Sequence, residues 1–113
     1  MDRSDRQVPA NIRSMLTQLR EQLQTLYGPR LRKVILFGSQ ARGDARPDSD
    51  VDVLVVLDGP VDVWEEIRRT SSRVCDLSRQ HNLVISCVFM DYDDFKAGKE
   101  PLCSTVDQEG IEV

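Results

Sequence analysis

Asp50 and Asp52 stand two residues apart in "SDVDVLVVL", at the head of a run that otherwise reads as core. An earlier apolar run, "LRKVILF", ends at Gly38-Ser39, and ten residues carrying Arg42 and Arg46 separate that pair from Asp50. On a strand, residues two apart share a face and lie roughly 6.5–7 Å apart. Asp50 and Asp52 therefore point together, away from the side that Val51 and Val53 cover. Two carboxylates so close repel each other, and a divalent cation between them removes the penalty. Mg²⁺ suits the residue types, being a hard ion held by one or two carboxylates plus substrate phosphates. Gly38 lets the backbone approach a phosphate closely, and Ser39 offers a hydroxyl and an N–H. Arg42 and Arg46 supply planar, permanently charged donors for phosphate oxygens. Phosphate cradle, arginines and metal carboxylates in one segment describe a nucleoside triphosphate site.

Two other motifs fail here. Gly38 and Gly43 have the glycine spacing of a Walker A loop, but Asp44-Ala45 stand where Lys-Ser/Thr is needed. Asp48, Asp50 and Asp52 mimic the start of an EF-hand, yet Val53 replaces its glycine and strand formers follow.

Gly38-Ser39, ten residues, then Asp50-Val51-Asp52 resembles the signature of the DNA polymerase β-like nucleotidyltransferase superfamily. "GSQARG" and "SDVDVLV" are similar to its smallest branch, the minimal nucleotidyltransferases paired with HEPN-domain toxins. The resemblance is dense over residues 34–57, and chain length, element order and the closing "QEGIEV" agree with it. It implies that Gly38 and Ser39 hold the nucleotide's phosphates and that Asp50 and Asp52 are the catalytic, Mg²⁺-binding carboxylates. It also implies transfer of AMP from Mg·ATP to a tyrosine of a HEPN ribonuclease toxin, in a hetero-oligomer, so that the chain acts as an antitoxin.

Full members of that superfamily carry a third carboxylate on a neighbouring strand. The corresponding run here, "LVISCVFM", has Ser86 as its distinctly polar residue, with Asp91 just past its end. A neutral serine is a poor general base. A phenol, with an unperturbed pKa of about 10, is easier to ionise than a sugar hydroxyl, so two carboxylates can suffice for a tyrosine acceptor. Two alternatives stay open: a non-catalytic antitoxin that occludes its toxin, and a small-molecule nucleotidyltransferase acting on a sugar or antibiotic.

These residues need elements to hold them. Ile12, Met15, Leu16, Leu19, Leu23 and Leu26 recur at helical spacing from Pro9 to Tyr27, and Gly28-Pro29 stops the helix. Strands are expected at 31–37, 51–57 and 83–90, with 38–49 as the loop between the first two. Asp62 and Glu65 form a capping box opening a second helix that runs to about residue 81. Trp64 is expected to anchor it in the core, with Cys75 and Cys87 buried and inert. His81 falls at that helix's end, where it favours the terminal carbonyls. Asp91, Asp93 and Asp94 read as a solvated turn, and the tail as one short helix stopped by Gly110. The expected fold is a single small α/β (α+β) domain over 9–113, a short mixed sheet flanked by helices, with residues 1–8 as a flexible tail.

Composition agrees with that scale. The 113 residues carry a net charge of −4, which argues against direct nucleic-acid binding, although Arg30, Arg32, Lys33, Arg42 and Arg46 cluster in sequence around the motif. Three cysteines at irregular spacings fit neither a disulfide framework nor a zinc site. No apolar run is long enough to span a membrane and the first residues are polar, so a cytoplasmic protein is expected.

Overall fold

The computed structural model describes residues 8–46 and 48–113. Helix α1 (Ala10–Tyr27) leads through a 3-10 turn into strand β1 (Leu31–Phe37). A short helix α2 (Ser39–Arg42) and a loop precede β2 (Val51–Leu57), which is followed by α3 (Val63–His81) and β3 (Ile85–Asp91). Helices α4 (Tyr92–Ala97) and α5 (Pro101–Glu109) and a two-residue strand β4 (Ile111–Glu112) complete the chain. The sheet order is β3-β2-β1-β4, with β2 and β3 parallel and the other two pairings antiparallel. Parallel neighbours need a crossover between them, and α3 supplies it.

The sheet separates two cores. Val51, Val53, Val55 and Leu57 pack with the apolar stripe of α1 and with Leu77 and Phe89. Leu54 and Val56 face the other way, against Met90, Cys103 and Val106 and the helices α4 and α5. Period-two alternation thus puts Asp52 on the α5 side, opposite Val51 and Val53. Both faces of β2 are covered, which is why "VDVLVVL" reads as almost unbroken core.

Several expectations need correcting. Trp64 does not anchor the core: it is 81% exposed. The buried positions of α3 are Glu66, Thr70 and Leu77, and two residues along a helix turn the side chain by roughly 200°. Trp64 and Cys75 therefore face away from the sheet, and Cys75 is exposed. Glu66 is tolerated inside because the Tyr27 hydroxyl donates to its Oε1 at 2.7 Å and Arg69 pairs with it at 3.3 Å. Cys87 is half-buried as a residue, and burial pushes its thiol up to about 12. At the end of α3, Asn82 takes a left-handed cap conformation, while His81 Nε2 is buried with no partner among the described residues.

The acids after β3 are not a bare turn. Asp91 Oδ1 accepts from the Asp94 N–H at 3.0 Å and caps α4. The expected flexible tail lies outside the described residues except for Val8, which is buried against the α1 side of the sheet.

Candidate active site

The site is built where β1 ends beside the start of β2. Antiparallel register places Phe37 opposite Asp52, so Gly38, the next residue, leaves the sheet next to the Asp52 carboxylate. Gly38 takes φ +80°, a conformation that L side chains rarely adopt. A Cβ there would also stand 2.4 Å from Asp52 Oδ2. Glycine is thus demanded twice, by the turn and by the carboxylate it touches. From Gly38 the chain enters α2, whose first turn is closed by Ala41 and Arg42 N–H groups on the Gly38 carbonyl, at 3.1 and 3.0 Å.

Asp52 is half-buried, whereas Asp50, one residue before the strand, is exposed. Burial, and then the charge of Asp50, hold the Asp52 carboxyl above its ordinary range; Arg42 opposes this, and Glu109 adds to it. A carboxylate kept short of water beside a second carboxylate favours a divalent cation. Two carboxylates are of the chemistry that would hold Mg²⁺, with substrate oxygens needed to complete the shell. No cluster of three or more potential metal-binding side chains occurs among the described residues.

The arginines divide. Arg42 lies at the site, but its guanidinium is already engaged: Nε donates to Asp44 Oδ2 at 3.1 Å and Nη1 to Glu109 Oε2 at 3.2 Å. These two carboxylates, Asp44 foremost, hold the guanidinium above its usual value. Arg46 is exposed, and its backbone exchanges hydrogen bonds with Ser49 in the turn leading to Asp50. Arg32 and Lys33 lie at the far end of β1, where Leu31 pairs with Leu57, and Arg30 ends the 3-10 turn just before it. They are spent on Asp58, Pro60 and Glu112. The basic cluster seen in sequence is not one in space.

The third acid is also decided by register. Ser86 is the β3 partner of Asp52, on the face the missing carboxylate would need, whereas Asp91 pairs with Leu57 at the opposite end of the strand. Five residue steps of strand put Asp91 about 17 Å from that position, and its side chain is committed to capping α4. Asp91 is therefore excluded.

One residue went unrecognised in the sequence. Glu109, at the end of α5, accepts the Gly38 N–H on Oε2 and pairs with Arg42. The only sequence hint was its place beside Gly110 in "QEGIEV".

Comparison with known proteins gives the family and the fold. A family model described as a nucleotidyltransferase domain matches residues 16–98. A protein of Methanocaldococcus jannaschii with a provisional protein adenylyltransferase name is 31% identical over 101 residues, covering 88% of this chain and 95% of the relative. Matches to two other archaeal proteins with adenylyltransferase names are shorter, spanning 36% and 42% of the relatives. Among solved structures, a toxin–antitoxin complex with AMP-PNP has a chain with TM-score 0.61 at 19% identity, covering 92% of this chain and 72% of that one. A tri-AMPylated Shewanella oneidensis HEPN toxin bound to its MNT antitoxin gives TM-score 0.54 at 19% identity, covering 90% and 67%. No described helix is long and apolar enough to cross a membrane.

Proposed function

The chain belongs to the nucleotidyltransferase domain family, as a minimal nucleotidyltransferase, and on that premise we propose that it is a protein adenylyltransferase antitoxin. It transfers AMP from Mg·ATP to a tyrosine hydroxyl of a HEPN-domain toxin and works in complex with that toxin. The observation that carries the reading is the contact between Gly38 and Asp52. It juxtaposes a turn suited to phosphate with a carboxylate suited to a metal.

In this mechanism Gly38 and Ser39 hold the triphosphate, and Asp50 and Asp52 would hold Mg²⁺, which neutralises charge on the phosphate oxygens when bound. Arg42 flanks the turn, and Arg46 is exposed on the loop that precedes Asp50. The phenolic oxygen forms a bond to the α-phosphorus as the bond to the bridging oxygen breaks. Pyrophosphate leaves, and the phenolic proton passes to solvent. Little covalent work falls to the protein, because phosphoryl-type transfer depends on alignment and charge neutralisation. A phenol needs less help to ionise than an aliphatic hydroxyl, which suits a site whose third position is Ser86.

That same Ser86 supports a second reading, a non-catalytic antitoxin that neutralises by occlusion. Labelled ATP, Mg²⁺ and a HEPN-domain toxin that binds this chain distinguish the two. AMP appearing on a toxin tyrosine, and vanishing in an Asp50→Asn/Asp52→Asn double variant that still binds toxin, supports transfer. An unlabelled toxin that the double variant neutralises fully sinks transfer in favour of occlusion.

A further inference from the structure

We infer that Glu109 is a positioning residue of the nucleotide site, gripping the phosphate-binding turn from the C-terminal corner of the fold. The inference rests on the proposed reading of Gly38-Ser39 as that turn.

The grip continues a β-ladder by other means. β1 and β4 pair antiparallel with Ile35 opposite Glu112 and Leu36 opposite Ile111. Continued for two residues, this register sets Glu109 opposite Gly38. Residue 109 ends a helix, so its backbone cannot extend the ladder. Its side chain does so instead, Oε2 accepting the Gly38 N–H. The same carboxylate holds Arg42 Nη1, at 3.3 Å through Oε1 and 3.2 Å through Oε2. Glu109 thus bonds both the residue that opens α2 and the last residue of α2, with Ser39 between them.

Gly110 makes the grip possible. A Cβ at that position would lie 2.5 Å from the Val106 carbonyl oxygen and 2.8 Å from Ile35 Cγ2. Its φ of −64° is open to any residue, so closeness of packing, rather than backbone conformation, requires the glycine. The corner is pinned further by Gly110 N–H on the Val106 carbonyl and Val113 N–H on the Val34 carbonyl, both 2.8 Å. With the corner fixed against β1, the Glu109 carboxylate is only 16% exposed. A carboxylate held this way makes charge-assisted bonds of the stronger kind.

Glu109→Ala leaves Gly38 N–H and Arg42 without this partner. Glu109→Gln keeps an acceptor for Gly38 while removing the charge from Arg42. Calorimetric titration of the full chain with Mg²⁺ and AMP-PNP measures binding, and amide exchange at Gly38 reports on the turn itself. In Glu109→Ala the Kd for Mg·AMP-PNP and the KM for ATP should rise on the order of tenfold, the effect of losing one charge-assisted bond. The kcat and the KM for the protein acceptor should hold, and Gly38 exchange should quicken. Glu109→Gln should recover most of the loss, which a general loss of fold would not allow. Unchanged nucleotide affinity in folded Glu109→Ala overturns the inference. So does tighter binding, which would make the carboxylate a competitor of phosphate. If the wild-type chain binds no Mg·AMP-PNP, the reading of the site falls and the inference with it.

Discussion

Gly38 and Asp52 are in direct contact across the first two strands. The Asp52 carboxylate oxygen lies where a side chain on residue 38 would begin, 2.4 Å from an ideal Cβ. Gly38→Ala must therefore displace Asp52 as well as strain a backbone at φ +80°. The strain alone costs about 1–3 kcal/mol, and the shifted carboxylate should abolish Mg·AMP-PNP binding in the fraction that folds. Urea unfolding with calorimetric titration checks both effects. Retained binding would show that the contact is not needed.

Asp52 also makes stability depend on pH. Its folded carboxyl is raised above the ordinary range, chiefly by burial and then by Asp50. Between the ordinary carboxylate value and that raised value, the metal-free folded protein holds a proton that the unfolded chain releases. Stability from this group is present at low pH and is lost as pH rises through the window. Asp52→Asn should accordingly raise the metal-free unfolding midpoint at neutral pH, and the gain should fade as pH falls from the raised value to the ordinary carboxylate value. Thermal unfolding followed by circular dichroism across pH reads this. A lower midpoint at neutral pH would contradict the sign.

Tyr27→Phe removes the donor that meets Glu66 Oε1 at 2.7 Å in a buried setting. Glu66 keeps Arg69 but loses one of its hydrogen bonds, and the expected cost is about 1–3 kcal/mol in urea unfolding. The pair joins α1 to α3 away from Gly38 and Asp52, so the KM for ATP should not move. A changed KM with unchanged stability would overturn this.

Trp64→Ala tests the reversed expectation for the largest side chain in the protein. With 81% of it exposed, the substitution should change unfolding free energy by no more than about 0.5 kcal/mol. A packed tryptophan would cost about 3–5 kcal/mol, so a single urea titration separates the two.

Much of the site was legible locally. The strand limits 31–37 and 51–57, the α1 stripe and the Asp62 cap all follow from side-chain period and capping chemistry within a few residues. The motif between Gly38 and Asp52 lies in a single segment, so its residue types could be read together before any fold was known. The third strand was displaced, at 85–91 instead of 83–90, because "NLVIS" offers no sharp start signal. Helix α4 was missed because Asp91-Tyr-Asp-Asp reads equally as a cap or a turn.

The sequence by itself determined the chemistry available at the motif and the phase of each element's side chains. Phase fixes which residues share a face; it does not say which face meets which neighbour. Tertiary structure decided that α3 buries Glu66 and turns Trp64 outward, since only packing brings the Tyr27 hydroxyl to that carboxylate. Strand register decided that Ser86, and not Asp91, stands beside Asp52. Glu109 reaches Gly38 across 71 residues of chain. That contact rests on an antiparallel pairing at one sheet edge and on a glycine small enough to let the corner close, and no local pattern encodes either.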